Sequence, residues 1–214
     1  MKVIIVGGVA GGATAAARIR RLDEQADIVI FERSGFVSYA NCGLPYYIGG
    51  GITDQRELTL QTPESFFARF RIDVRVRHEV TAIHPENKTV SVTNLETGEQ
   101  FEEHYDKLLL SPGARPTQPR LAGAEHERIF TLRTVEDTLR IRRFVEEKQP
   151  KSAVLAGGGF IGLEMAENLR ELGVEVTIVQ RADQVLPPLD YDMAAQIHTL
   201  LRSHGVHLKL GSAV

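Results

Sequence analysis

The sequence predicts an α/β protein made of two Rossmann-like folds in tandem, on three observations. A unit of strand, glycine turn, helix and strand occurs twice, at residues 2–32 and again at 152–181. The strands of both copies are nearly continuous in Val and Ile, the pattern of parallel strands buried on both faces. Between the copies lies different material, which alternates in the short period of an antiparallel sheet.

The first copy reads as a strand over Lys2–Val6, a helix from about Gly11 to Asp23, and a strand over Asp27–Phe31 that ends at the acid Glu32. Ser65–Phe70 has helical character. Val80–Ile83, Thr89–Thr93 and Gln100–Tyr105 then read as strands of a small meander, with turns at Pro85-Glu86-Asn87 and Glu96-Thr97-Gly98. Leu108-Leu109-Leu110 returns as a buried strand ending in Ser111-Pro112-Gly113. The stretch 112–123 holds three prolines and two glycines and is the linker candidate, placing the domain boundary at 115/116. The second copy runs strand (Ser152–Ala156), glycine turn, helix to about Leu172 and strand (Glu175–Val179), followed by a terminal helix and a strand over Val206–Leu210. A doubly wound domain begun at residue 152 normally needs further strands, so the second fold is expected to be truncated.

The bulk properties exclude several classes. A chain of 214 residues with 43% hydrophobic and 25% charged residues has the composition of a globular protein of one large or two small domains. A net charge of -3 without a long basic run argues against nucleic acid as the main partner. The apolar run after Met1-Lys2 is only four residues long, so it is a buried strand and not an export signal. No stretch approaches the ~18 apolar residues of a membrane span. A single cysteine rules out an intrachain disulfide and fits a reducing cytoplasm. The seven histidines, at 78, 84, 104, 126, 198, 204 and 207, show no metal-ligand spacing.

The two glycine turns carry the first functional signal. Gly157, Gly159 and Gly162 supply the three glycines that a dinucleotide loop needs, for the tight turn, for approach to pyrophosphate and for helix–strand packing. The first loop departs from that pattern. Gly7 and Gly12 are in register, flanked by Gly8 and Gly11, but Val9 fills the middle slot, where a side chain obstructs pyrophosphate unless the loop bends differently. Glu32, twenty residues after Gly12, is placed to accept a hydrogen bond from a ribose hydroxyl. The second copy ends instead in Val179-Gln180-Arg181. Gln180 bonds a hydroxyl without repelling a phosphate, and Arg181 is either a partner for a 2′-phosphate or a solvated strand-end charge. This leans toward NADPH, or toward indifference between NADPH and NADH.

The second signal is Cys42, within Ser38-Tyr39-Ala40-Asn41-Cys42-Gly43-Leu44-Pro45-Tyr46. Two nucleotide folds with a cysteine shortly after the first resemble the flavin-dependent pyridine nucleotide–disulfide oxidoreductases. The single-cysteine segment is similar to that of the coenzyme A-disulfide reductases and the related NADH oxidases and polysulfide reductases. Thr81-Ala82-Ile83 and Leu110-Ser111-Pro112-Gly113-Ala114 fit the family's first domain in order and spacing.

The resemblance implies an FAD-binding domain at 1–115 and an NAD(P)H-binding domain at 116–214, the latter incomplete and without the family's C-terminal dimerisation domain; the full-length parent is implied to be a homodimer. It places FAD at Gly7, Val9, Ala10, Gly11, Gly12, Glu32 and Arg33, and NADPH or NADH at Gly157, Gly159, Phe160, Ile161, Gly162, Gln180 and Arg181. Cys42 and Asn41 are implied as catalytic. Cys42 at a helix start suits a thiolate, and Asn41 either caps the segment or bonds the partner of the sulfur. Substrate contacts carry over onto Thr14, Arg18, Arg21, Ser38 and Asn41. The two arginines are either phosphate partners for coenzyme A or the solvated face of a helix. Ala10 stands where the peroxidases and oxidases carry histidine, which favours disulfide reduction over peroxide chemistry. The reaction implied is electron transfer from NAD(P)H through FAD to Cys42 and a small disulfide or polysulfide. The alternatives are an NADH oxidase or peroxidase, and a nucleotide-binding fragment without catalysis.

Overall fold

The computed structural model describes residues 1–117 and 122–214, so part of the expected linker lies outside the described residues. The chain divides into two compact units. The first comprises residues 1–40, the described part of 56–120, and Thr134–Glu136; the second comprises Asn41–Gln55, the described part of 121–133, and Asp137–Val214.

In the first unit, strands β1 (Lys2–Val6) and β2 (Asp27–Glu32) flank helix α1 (Ala10–Leu22) in sequence, as expected. They join β3 (Asp73–Val76) and β7 (Lys107–Leu110) in a parallel sheet of order β3-β2-β1-β7. Successive strand side chains point to opposite faces, and both faces of the central strands are covered. Val3, Ile5, Ile28 and Ile30 pack with Ala13 and Ala16 of α1 and with Phe66 of helix α3 (Pro63–Phe70). Ile4, Val29 and Phe31 pack on Val90 and Val92 of the meander. That meander is β4 (His78–His84), β5 (Thr89–Asn94) and β6 (Gln100–His104), antiparallel in the order β4-β5-β6. Helix α3 starts earlier than expected because Pro63 enters its first turn and Thr62 caps it in a reciprocal box with Ser65.

Two expectations of burial fail at sheet edges. Strand β7 is an edge strand, and Leu110 is 56% exposed instead of buried. In the second unit β8 (Ser152–Ala156), β9 (Glu175–Val179) and β10 (Val206–Lys209) form a parallel sheet of order β10-β9-β8. Here β8 is an edge, and Val154 is 65% exposed. One face of the sheet carries the core: Val176, Ile178 and Val206 pack with Met165, Ala166 and Leu169 of helix α5 (Phe160–Glu171) and Ile141 of helix α4 (Val135–Lys148).

The segment carrying Cys42 departs from the expected partition. The sequence assigns it to the first domain by its position, yet Asn41–Gln55 groups with the second unit. The reason is packing. Helix α2 (Leu44–Gly49) inserts Ile48 into the α4–α5 core, and Gly49 lies so close to α5 that a Cβ there would stand 2.1 Å from Asn168 Oδ1. Helix α6 (Tyr191–Ser203) precedes β10, with His204 at its C-terminal cap. Among the described residues no helix is long and apolar enough to cross a membrane, and no cluster of three or more His, Cys, Asp or Glu can hold a metal ion.

Candidate functional site

Each glycine loop continues the hydrogen bonding of its strand before turning into a helix. Gly7 donates its N–H to Phe31 O and Gly157 donates to Val179 O, both at 2.8 Å, and both residues have positive φ (94° and 112°). Gly12 and Gly162 are required by the protein itself. A Cβ on Gly12 would lie 1.8 Å from Gly7 O, and one on Gly162 would lie 2.2 Å from Gly157 O, so each helix packs directly on the turn that launches it. Gly159 is different: a Cβ there would meet nothing within 4 Å. Nothing in the fold demands glycine at that position, and its bare Cα leaves the backbone open to approach.

The helix starts above these loops are open to an anion. Neither α1, capped by Val9, nor α5, capped by Gly159, has a side-chain cap or an acid in its first turn. Their first N–H groups and the positive end of the helix dipole therefore remain available. The middle slot does bend differently in the two copies, with ψ of −120° at Val9 against −176° at Gly159. Ala10 and Gly11 are exposed at the first helix start; at the second, Phe160 and Ile161 are 66% and 51% exposed. The residues present thus fit a pyrophosphate at either loop.

The strand-end residues do more than face a ribose. Glu32 is buried, and its carboxylate accepts hydrogen bonds from the N–H of Gly8 and of Ser34, both at 2.8 Å. Gln180 repeats the first of these contacts, its Oε1 accepting from Gly158 N–H at 3.1 Å. Both side chains therefore hold the second glycine of their loop and keep acceptor capacity for a further partner. The neighbouring cations differ: Arg33 is exposed and pairs with Glu79 at 3.4 Å, while Arg181 is exposed just past the end of β9.

A further correspondence escaped the sequence reading. Five and six residues after Glu32 stand Val37 and Ser38; at the same offsets from Gln180 stand Val185 and Leu186. Ser38 N–H donates to Gly8 O at 2.9 Å, and Leu186 N–H donates to Gly158 O at 2.8 Å. The methyl groups of Val37 and Val185 occupy the space that a Cβ on Gly8 or Gly158 would need. Ser38 and Leu186 both adopt positive φ, 49° and 46°. The second glycine of each loop is thus gripped at its N–H, its carbonyl and its Cα. The shared Val at equal offset was the available signal.

Cys42 is exposed and is the chain's sole cysteine. It lies in a 3-10 turn, Asn41–Gly43, just before α2; the N-cap of that helix is Gly43, so Cys42 precedes the helix start at which the sequence placed it. Asn41 does not cap α2. Its Oδ1 instead accepts from Arg133 Nη1 at 2.9 Å. Because a guanidinium only donates, this contact identifies the amide oxygen and makes Nδ2–H the donor end of the side chain. Arg142 holds the far end of the segment, stacking 4.1 Å over the Tyr47 ring and donating to Tyr47 O at 3.0 Å. Exposed Tyr46 has its phenol pushed above its ordinary value, first by the Glu167 carboxylate, then by desolvation and Glu164, so it stays protonated near neutral pH.

The remaining predicted contacts are divided between the two units. Thr14, Arg18 and Arg21 are exposed and share one face of α1, at helical spacing. Ser38, part-buried, belongs with them to the first unit, whereas Asn41 and Cys42 belong to the second.

Comparison with known proteins shows the family. The family model described as pyridine nucleotide-disulphide oxidoreductase matches residues 1–214. Coenzyme A disulfide reductase of Staphylococcus aureus is 44% identical over 213 residues, covering all of this chain and 48% of the relative. The reduced CoADR-RHD of Bacillus anthracis superposes with a TM-score of 0.97 at 52% identity, covering 100% of this chain and 38% of that one. An NAD-dependent persulfide reductase from A. fulgidus gives 0.94 at 37% identity, over 99% of this chain and 40% of that one. The chain therefore spans about half the length of the curated relatives it matches. With two glycine cradles, a lone exposed thiol and a family match along its whole length, this chain belongs to the pyridine nucleotide-disulphide oxidoreductases.

Proposed function

We propose that the protein is a flavin-dependent reductase in which electrons from NAD(P)H reach Cys42, which reduces coenzyme A disulfide or a related small disulfide, polysulfide or persulfide. The observation that carries this reading is Cys42 itself: exposed, with no second cysteine to pair with, and beside an asparagine amide whose orientation is set by Arg133. Gly7, Val9, Ala10, Gly11, Gly12, Glu32 and Arg33 would hold FAD, and Gly157, Gly159, Phe160, Ile161, Gly162, Gln180 and Arg181 would hold NAD(P)H. When bound, those groups would supply a hydride acceptor and a two-electron donor.

The chain's own residues account for the sulfur chemistry. The Cys42 thiolate attacks one sulfur of the disulfide R–S–S–R, the S–S bond breaks and one R–S⁻ leaves. Cys42 is then in a mixed disulfide with the other half. Two electrons return Cys42 to the thiolate and release the second R–S⁻. Asn41, next to Cys42 in sequence, would offer its Nδ2–H as a donor suited to stabilising the departing thiolate. Arg18 and Arg21 supply positive charge for the phosphates of a coenzyme A substrate. Ala10 leaves the start of α1 without an acid–base side chain, which disfavours peroxide chemistry. Gln180 and Arg181 favour NADPH, because a neutral amide beside a cation accommodates a 2′-phosphate that a carboxylate would repel.

The test combines stopped-flow reduction of the purified protein by NADH and by NADPH with mass spectrometry of Cys42 after turnover. A Cys42 adduct of one thiol half, absent in Cys42→Ser while flavin content is unchanged, is the expected result. Disulfide reduction that persists in Cys42→Ser, or a protein that takes up no FAD, would end this reading.

A further inference from the structure

His198 is a buried titratable group that the proposed chemistry does not use. It lies on α6, 4% exposed, and its Nε2 accepts the buried N–H of Val185 at 3.1 Å. The direction of that bond fixes the ring as neutral with its proton on Nδ1, since a protonated imidazole has no acceptor. Tyr191 meets the ring edge-on, its centroid 6.4 Å away. Burial in the first place, and Arg202 in the second, hold this imidazole below the ordinary histidine value, in keeping with its acceptor role.

Val185 is one of the three contacts that grip Gly158. Its side chain fills the space beside the Gly158 Cα, and the next residue, Leu186, donates to Gly158 O while holding a left-handed φ of 46°. A leucine does not hold that conformation unless its surroundings impose it. The first copy secures the matching turn another way, through Leu60 N–H to Ser38 O at 2.8 Å. The acceptor on α6 therefore secures the turn specifically in the second copy.

We propose that His198 is a positioning residue for the nicotinamide dinucleotide: by accepting the Val185 N–H it holds the Val185–Leu186 turn against Gly158 and so sets the backbone of the 157–162 loop on which the pyrophosphate rests. The proposal rests on the reading of that loop as the NAD(P)H site. Without the acceptor, Val185 N–H is left unpaired in the interior, and the strained turn is released at the same time.

The experiment compares His198→Phe, which keeps ring bulk without an acceptor, and His198→Gln, which restores one, in the purified flavoprotein. The readouts are NADPH Kd by fluorescence, KM and kcat, flavin content and thermal melting. The expected result is a rise in NADPH Kd and KM of about tenfold in His198→Phe, which corresponds to about 1.4 kcal/mol. In that variant kcat and flavin content stay near their original values, and His198→Gln recovers most of the lost affinity. Unchanged NADPH affinity in His198→Phe overturns the proposal, as does a loss that melting tracks equally in both variants. Gly159→Ala separates the two readings: if it too leaves NADPH binding intact, the loop assignment fails and not merely the role of His198.

Discussion

Gly159 and Gly162 belong to one motif, yet the structure predicts opposite consequences for replacing them by alanine. At Gly162 the new Cβ would stand 2.2 Å from Gly157 O, backbone against backbone, so α5 must move off its turn. Overpacking of this kind costs about 1–3 kcal/mol, or a fall in melting temperature of roughly 2–4 °C per kcal/mol for a chain of this size. At Gly159 the Cβ meets nothing within 4 Å, and the residue's φ of −84° and ψ of −176° suit any amino acid. Alanine loses a little as an N-cap and gains about as much by restricting the unfolded chain, so stability should stay within about 1 kcal/mol. The added methyl nevertheless projects into the space over the α5 N-terminus. If it displaces pyrophosphate from two charge-assisted N–H bonds at about 1.5 kcal/mol each, NAD(P)H affinity falls about 100-fold. The assay is calorimetric melting beside NADPH titration of each variant. Gly159→Ala with native NADPH affinity, or Gly162→Ala with native melting, would refute this division of labour between the two glycines.

Three further outcomes follow from named contacts. Arg133→Ala should lower kcat for disulfide reduction by about tenfold with little change in NADPH KM, because Asn41 loses the donor that orients its amide; an equal loss in Asn41→Ala that is not additive with Arg133→Ala links the two, and additive losses would separate them. Gln180→Glu keeps an acceptor for Gly158 N–H but adds a charge, so NADPH preference over NADH should drop by tenfold or more while melting holds; a preference that stays put would free Gln180 of any part in it. In the first unit burial pushes the Glu103 carboxyl up, but Lys2 and Arg75 together outweigh it and hold it below its ordinary 4.5. Stability from this group is therefore complete above that value and lost as pH falls through the folded value. Solvent screening limits it to about 1 kcal/mol, and Glu103→Gln should flatten the acid limb of the melting profile by that amount.

Much of the scaffold was legible because it depends on local pattern. The Val/Ile runs of β1, β2 and β9, the glycine turns and the meander turns each state their structure within a few residues. What was missed depends on long-range partners. Strand β3 is four residues with a single buried side chain, Val74, and exists through its parallel pairing with β2. The Cys42 segment reads as part of the first fold because it follows it. Its grouping with the second unit comes from Ile48 entering the α5 core and from the absence of a Cβ at Gly49, which lets α2 lie against Asn168. Arg133 is 92 residues from Asn41, and no local pattern announces that contact. Val154 defeats the rule that an apolar run is buried on both faces, because only the face of β8 that carries Ala153 and Leu155 packs on the core.

The two copies share more than the fingerprint glycines, and their differences carry the functional asymmetry. In both, the second glycine is held by a strand-end oxygen, by the N–H of a left-handed residue and by a valine methyl. These contacts need only an acceptor at the strand end, and Glu32 and Gln180 serve equally. The choice between them is therefore free to be made by the ligand: a carboxylate suits a ribose with bare hydroxyls, and an amide beside Arg181 suits one that carries phosphate. On the proposed assignment, Val9 against Gly159 in the middle slot would change how closely pyrophosphate approaches, while Leu60 and His198 differ in what anchors the grip. A mechanical solution shared by the two copies would thus leave ligand choice to the strand-end and middle-slot positions of each. On the proposed assignment, a repeat visible in the sequence would supply two sites with different chemistry.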